Sequence, residues 1–466
     1  MGRVMVAFDG DGEGVGELTW SQANLWQGMT LDGPPITMGG IVQPPDGMTV
    51  ERIEDLLRFA VTRHQSLRTR LRLRGDRPPL QVCVTSGVVP LDVIDAGDDD
   101  PAALAKAIEA EYKRKPFDYE NEFPVRMAVV HRAGAALRMV GTYLHLAMDQ
   151  GGVDALMRDL DARDPVTGAA AGPVTSVQPL ELANKQAGAH AQRKSAAAMT
   201  YLEHVLRVMP IRQFGEPRYP DDGRRIIRFR SPATALAIRR IAAQETTSTA
   251  SALLAAFAVG VARFSGHPNM MAMLLVHNRF RPGLADSVSP VVQMSPCLIE
   301  VRGAPSLRDV VARTGASVLT AYKHAYYDPY QQDVVFDRVE AERGPLEYWH
   351  YNDRRDMERP RTDGPLPTDD EIRAAVAHSE HSLEPNESAT TSGIFLSVLD
   401  EPNGGVDFVL DVATRYLSET EMVALTAEFE VAAVRTALEP TAPTDFAADS
   451  PKYGEHRPDR EVIHHA

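Results

Sequence analysis

The sequence predicts an α/β protein built from two successive α/β sandwiches with mixed sheets. Three observations carry that reading. Strand-like and helix-like periodicities alternate along both halves of the chain. A proline- and glycine-containing segment, Asp164-Pro165-Val166-Thr167-Gly168-Ala169-Ala170-Ala171-Gly172-Pro173, separates the halves. A short apolar run ends in His145-Leu146-Ala147-Met148-Asp149-Gln150-Gly151-Gly152 and passes directly into an amphipathic helical pattern.

Taken in chain order, the first 16 residues, with Asp9-Gly10-Asp11-Gly12-Glu13-Gly14-Val15-Gly16, are acidic, glycine-rich and expected to be loose. A calcium loop would need a carboxylate at its twelfth position, where Trp20 stands instead. Val50 to His64 follows the helical period through Ile53, Leu56, Leu57 and Ala60. Ala136 to Leu144 is short, apolar and preceded by a glycine-containing loop, which predicts a buried strand with His145 at its end. After Gly152, the residues Val153, Leu156, Met157 and Leu160 recur at helical spacing, and Asp154 lies in the first turn, where the helix dipole favours negative charge.

Beyond the linker, Leu180 to Met209 reads as one long helix, rich in alanine and stopped by Pro210. Residues 226–232 predict a strand, Ala233 to Gln244 and Thr249 to Phe264 helices, Met271 to His277 and Val291 to Val301 strands, and Leu307 to Tyr326 a helix. Asn352 to Ser388 is polar and carries no clear period. Phe395 to Leu399 and Val406 to Ala413 read as paired strands around Asn403-Gly404-Gly405, and Ser418 to Leu438 as the last helix, with Glu419 and Glu421 in its first turn. From Pro440 the composition predicts a disordered tail, in which His464-His465 makes no metal site by itself.

Composition bounds the function. Hydrophobic residues at 44% and charged residues at 24% describe an ordinary globular chain. A formal net charge of −15 argues against binding nucleic-acid phosphates or an anionic membrane surface. Arg68, Arg70, Arg72 and Arg74 could form a local basic patch for an acidic partner, or simply a solvated strand face. Cys83 and Cys297, far apart and without a Cys-x-x-Cys, indicate neither zinc nor a disulfide framework and fit a reducing cytoplasm. No basic-then-apolar leader is visible at the N-terminus. The longest apolar run, Ala252 to Ala262, has 11 residues, too few to cross a bilayer, and reads as one buried helix. His378-Ser379-Glu380-His381 lacks a third ligand at sensible spacing. A serine nucleophile elbow, a phosphate loop and a dinucleotide fingerprint are all missing.

A histidine at a strand mouth can take a proton from an amine or hydroxyl at neutral pH, a service worth about 10²–10⁴-fold in rate. On these residues alone, a core histidine bonded to a backbone carbonyl, with Asp149 capping the next helix, is the favoured account.

The surrounding motifs separate the two. Leu144-His145-Leu146-Ala147-Met148-Asp149-Gln150 occupies the slot of His-His-x-x-x-Asp-Gly, and Arg63-His64-Gln65-Ser66-Leu67-Arg68-Thr69-Arg70-Leu71 is close to Arg-His-x-x-Leu-Arg-Thr-x-Phe. Glu17 to Trp26, Lys115-Pro116-Phe117-Asp118 with Pro124-Val125-Arg126-Met127, Asn278-Arg279-Phe280-Arg281-Pro282 against Gly-Arg-x-x-Pro, and Gln331 to Val339 follow in order. On these the chain resembles the condensation-domain superfamily of nonribosomal peptide synthesis, with a chloramphenicol-acetyltransferase-like fold, nearly end to end. It departs from the pattern at Leu144, at Gln150, and at Ser295-Pro296-Cys297-Leu298, where the family carries Asn-Thr-x-Pro.

The resemblance implies two acetyltransferase-like lobes in a V-shaped pseudo-dimer around a central tunnel: residues 17–163, a linker at 164–178, residues 179–439, and a tail from 440 to 466. It implies His145 as the catalytic residue. Arg279 would pair with Asp149 structurally, tying the two halves across the cleft, and loss of one partner would cost about 3–5 kcal/mol. Leu144, Gln150, Gly151, Gly152, Gln293 and Ser295 would lie along the substrate channel, with amides near Gly151 and Gly152 facing the developing oxyanion. The implied reaction joins a carrier-bound acyl or aminoacyl thioester, on a phosphopantetheine arm, to an amine or alcohol in natural-product assembly. No cofactor or metal would be held by the chain itself. Because no adenylation or carrier segment follows, the resemblance points to a free-standing cytoplasmic monomer whose substrates other proteins deliver. A silent platform that recruits another enzyme, and an acyl-CoA-dependent transferase, are the alternatives it leaves.

Overall fold

Val4, Val6 and Phe8 alternate with more exposed neighbours, and in the computed structural model this period of two makes strand β1 (Gly2–Asp9). The structure describes residues 2–29, 35–219, 223–355, 365–385, 394–401 and 404–444. The N-terminal segment expected to be loose is therefore a strand, followed by β2 (Gly14–Glu17). The acidic glycine run from 9 to 16 dominates the composition and conceals the short alternation before it.

The chain divides into two units. The first comprises Met1–Ala198, His277–Gln293 and Tyr326–Gln332, and the second the remaining segments. The boundary inferred at 164–178 put residues 277–293 and 326–332 in the later lobe. Their backbone instead packs within the first unit, because the ends of later strands return to it.

In the first unit, β1 and β2 are followed by α1 (Trp20–Gln27), β3 (Thr37–Val42), α2 (Val50–Arg63), β4 (Thr69–Arg74), β5 (Arg77–Cys83), β6 (Ser86–Asp95), α3 (Pro101–Arg114), β7 (Val125–Arg132), β8 (Ala135–Leu144) and α4 (Gln150–Asp161). Next come α5 (Pro179–Ala187) and α6 (Ala189–Val208). The single helix expected over 180–209 is thus two, broken at Gly188, whose ψ of 150° is extended. A five-stranded sheet runs in the order β1-β6-β7-β8-β3, and a three-stranded one in the order β2-β5-β4. β6 and β7 are parallel through the crossover helix α3, and the other pairs of the larger sheet are antiparallel, so the sheet is mixed as predicted. Ile53, Leu57, Ala60 and Val61 of α2 bury their stripe against Val6, Val89, Leu91 and Val129 of this sheet.

The second unit holds β9 (Arg224–Ser231), α7 (Pro232–Gln244), α8 (Thr249–Ser265), β10 (Asn269–Val276), β11 (Gln293–Glu300), α9 (Leu307–His324) and, after α10 (Pro329–Arg343), β12 (Trp349–Asp353). It ends with α11 (Asp369–Ala375), β13 (Glu380–Pro385), β14 (Ile394–Asp400), β15 (Val406–Ala413) and α12 (Glu419–Leu438). Its seven strands order as β11-β10-β12-β14-β15-β9-β13. The run Ala252 to Ala262 is fully inside α8, each residue buried in a core shared with Phe229, Trp349, Phe408 and Phe429. No single helix among the described residues is long and apolar enough to cross a membrane. The unassigned stretch 352–388 supplies α11 and β13, while 356–364 and 386–393 lie outside the described residues. The β14–β15 pairing is antiparallel as expected, with Asn403 of its turn outside the described residues. Within the expected tail Thr444 is buried, and its hydroxyl donates to the Ala304 carbonyl at 3.1 Å. The rest of the tail, His464 and His465 included, lies outside the described residues.

Arg68 does not form a surface patch with Arg70, Arg72 and Arg74. It is 1% exposed, and its guanidinium donates to the carbonyls of Asp11, Gly12 and Val84, fastening the loop between β1 and β2. Arg74 pairs with Glu17 at 2.8 Å.

α4 is anchored to α2. Asp159 accepts from Arg63 at 2.8 and 2.9 Å and from His64 Nε2 at 3.0 Å. Burial pushes the Asp159 pKa up, but the hydrogen bonds from His64 and Arg63 outweigh it and hold the carboxyl below the usual carboxylate range. A carboxyl depressed on folding stabilises the fold above its unfolded pKa, and that contribution is lost as the pH falls. Asp159→Asn is therefore expected to lower Tm by about 2–4 °C at neutral pH. The gap to the parent protein should start to narrow below about pH 4, where the unfolded chain's carboxyl takes up its proton, and go on narrowing at lower pH as the folded carboxyl follows. Thermal unfolding followed by circular dichroism across this range checks it, and a gap that persists in acid contradicts it.

Candidate active site

The turn after β8 is held from both sides by apolar residues. Leu144 and Leu146 pack with Leu18, Ala23, Leu71, Phe117 and Tyr119, whereas Ala147 and Met148 enter the core behind α2. The backbone is fixed as well: His145 N–H donates to the Ile36 carbonyl at 2.9 Å, extending the β3–β8 ladder, and Gln22 Nε2 donates to the Leu146 carbonyl at 3.2 Å. His145, between two buried leucines, is left half-buried.

Its ring is oriented by one contact. Nδ1 stands 3.0 Å from the Met148 carbonyl oxygen. A carbonyl only accepts, so Nδ1 carries the proton and Nε2 carries the lone pair. Nε2 has no hydrogen-bond partner among the described residues.

Asp149 caps α4 through Oδ1, which accepts from Gly152 N at 2.8 Å. Arg279 meets the carboxylate side-on, Nη2 at 2.6 Å from Oδ1 and Nη1 at 3.1 Å from Oδ2. Oδ2 also accepts from the amides of Val291 and Val292 at 2.9 and 3.1 Å. Arg279 Nη2 further donates to the carbonyls of Ser287 and Ser289 at 3.0 and 3.3 Å. Five donors on one carboxylate occupy its lone pairs, so Asp149 is a structural anchor with no oxygen left to take a proton. The pair expected to tie the two halves together instead closes within the first unit, because residues 277–293 belong to it.

The two glycines answer to the same loop. A Cβ on Gly151 would lie 2.7 Å from Arg279 Cζ, and one on Gly152 would lie 2.3 Å from the Val288 carbonyl oxygen. Their expected part in holding an oxyanion is not what the geometry gives Gly152, whose amide already serves Asp149. Gln150, where the resemblance expects glycine, is exposed on α4, and its Nε2 donates to Asp154 Oδ1 at 3.0 Å. Leu144 is 4% exposed and belongs to the core. Its expected place along an open channel is corrected to the edge of a narrow pocket bounded also by Gln22, Ser66, Arg70, Phe117 and Tyr119. Gln293 and Ser295 are buried too. Gln293 Nε2 donates to the Tyr327 carbonyl at 2.7 Å, which makes it a clamp between two returning segments, and Ser295 sits on β11 facing inward.

Two residues of this loop were given no part in the site from the sequence. Asn278 is fully buried with φ at +54°, the left-handed conformation that glycine adopts freely and asparagine tolerates. Asparagine standing where the motif carries glycine was the available signal. His277 is exposed, and its Nδ1 accepts from Arg279 N–H at 3.1 Å. Although the residue reaches the surface, partial desolvation of its ring by the neighbouring atoms, then the Arg279 guanidinium, lowers its pKa below the usual imidazole value, with Asp149 pulling the other way. Groups of three or more side chains able to hold a metal ion are absent among the described residues.

Asp149→Asn would strand the Arg279 charge, and we expect it to reduce stability by about 3–5 kcal/mol. Urea unfolding measures the change, and a loss below about 1 kcal/mol, the scale of a single exposed ion pair, would show that the pair is not the anchor.

The Condensation domain family model matches residues 36–335. Phosphinothricin tripeptide synthetase PhsC of Streptomyces viridochromogenes is 26% identical over 344 residues, 71% of this chain and 31% of that protein. The isonitrile lipopeptide synthase of Mycobacterium tuberculosis is 25% identical over 338 residues, 69% of this chain and 13% of that protein. The chain thus spans less than a third of the length of these relatives. Among solved structures, a condensation domain that mediates chain release from the enacyloxin polyketide synthase aligns with a TM-score of 0.69 at 20% identity, over 93% of this chain and 85% of that one. The X-domain from teicoplanin biosynthesis aligns with a TM-score of 0.68 at 16% identity, over 92% and 96%.

Proposed function

We propose, for a chain that belongs to the condensation-domain family, that it joins an acyl or aminoacyl thioester to an amine or alcohol, with His145 as the proton-accepting group. The observation that carries this reading is the ring of His145, protonated at Nδ1 by its bond to Met148 and open at Nε2. In this reading the donor arrives as a thioester on the phosphopantetheine arm of a carrier protein, and the acceptor as a small molecule or a second carrier-bound group. The chain needs no cofactor of its own.

The step balances with one proton shuttled. The acceptor's N–H or O–H gives its proton to His145 Nε2 as its heteroatom attacks the thioester carbon. A C–N or C–O bond forms, the tetrahedral oxyanion collapses, the C–S bond breaks, and the proton passes from Nε2 to the departing thiolate. Asp149 takes no proton in this scheme; it keeps the turn, and hence the imidazole, in place.

The test offers acyl-loaded carrier protein and acyl-CoA separately, each with a panel of amines and alcohols. Turnover with the carrier-bound donor, falling by about 10²–10⁴-fold in His145→Ala, is expected. Turnover with acyl-CoA alone would make CoA the donor. Tight carrier binding with no turnover in any arm would overturn catalysis and fit a recruiting platform. One of the fold neighbours, the teicoplanin X-domain, has been solved in complex with OxyB.

A further inference from the structure

Resting on the reading that His145 accepts the proton, we infer that His277 is a second catalytic imidazole, donating a hydrogen bond from Nε2–H to the thioester oxygen as it becomes an oxyanion. Three features of the first unit lead there. The Asp149–Arg279 pair, at 2.6 Å, lays two chain segments side by side. One begins at His145, four residues before Asp149, and the other at His277, two residues before Arg279. Each segment leads with an imidazole that is not fully buried.

The two rings are fixed as opposite tautomers. His145 gives its Nδ1 proton to the Met148 carbonyl, which leaves Nε2 an acceptor. His277 takes the Arg279 N–H at Nδ1, which requires a lone pair there and puts the ring proton on Nε2. One ring is thus built to receive a proton and the other to offer a hydrogen bond. Two nearby donors are already engaged: the Gly152 amide serves Asp149, and the Gln150 side-chain Nε2 serves Asp154. The charged groups around His277 are Arg279 and Asp149, with the Phe280 ring against its edge at 6.0 Å. Partial desolvation and Arg279 lower its pKa, which favours the neutral ring that donates without bringing a charge. A preorganised donor of this kind aimed at an oxyanion is worth about 10²–10³-fold in kcat.

The experiment compares His277→Ala and His277→Gln in the full chain, with thermal unfolding as the folding control. Glutamine can accept from Arg279 N–H through Oε1 and donate through Nε2, so it copies the neutral tautomer. We expect alanine to lower kcat by about 10²–10³-fold with KM within about threefold. Glutamine should recover most of that, and the pH–rate profile should keep its shape in both variants. Unchanged kcat in His277→Ala overturns the inference, as does equal loss in both variants, which would make the imidazole itself or its packing the requirement. If His145→Ala abolishes turnover while His277→Ala does not, this inference fails alone. Absence of turnover by the unaltered chain removes both readings.

Discussion

One carboxylate organises this site. Asp149 accepts from the first turn of α4, from both terminal nitrogens of Arg279 and from two successive valine amides, and so joins three stretches of chain that are distant in sequence. Its charge is buried and could not remain so with fewer donors. The motif aspartate serves here as an anchor. It sets the turn that orients His145, whose ring is then polarised by nothing more than the carbonyl three residues on.

The rest of the loop follows from that knot. Arg279 can reach Asp149 because Gly151 has no Cβ in its path, and the Val288 carbonyl can approach because Gly152 has none. Asn278 takes the left-handed turn that sends Arg279 inward, and its Nδ2 donates to the Val291 carbonyl at 3.1 Å, close to the amides that Asp149 receives. Changes at any of these positions act on His145 without touching it, so loss of activity in them would report positioning rather than chemistry.

Much of this was legible in the residues. The buried strand before His145 and the helix after Gly152 follow from local period, and the pairing of Asp149 with Arg279 is what the family resemblance implied. Non-local relations were not legible. The first strand hid behind an acidic glycine run, although Val4, Val6 and Phe8 already alternate. Arg68 reads as one of four surface arginines until the carbonyls of Asp11, Gly12 and Val84, which close around it, are known. The return of residues 277–293 to the first unit cannot be seen from a linker at 164–178, since it depends on where β10 ends in space. His277 was missed for the same reason: only the fold brings its segment alongside the one that begins at His145.

The central claim is that the Met148 carbonyl holds the proton of His145 on Nδ1 and keeps Nε2 open. Nitrogen-15 NMR of the histidine side chains, with His145 assigned by substitution, reads the tautomer directly at neutral pH. A protonated Nδ1 with an unprotonated Nε2 is the predicted result. The reverse tautomer, or an Nε2 engaged in a hydrogen bond in the free protein, would contradict it.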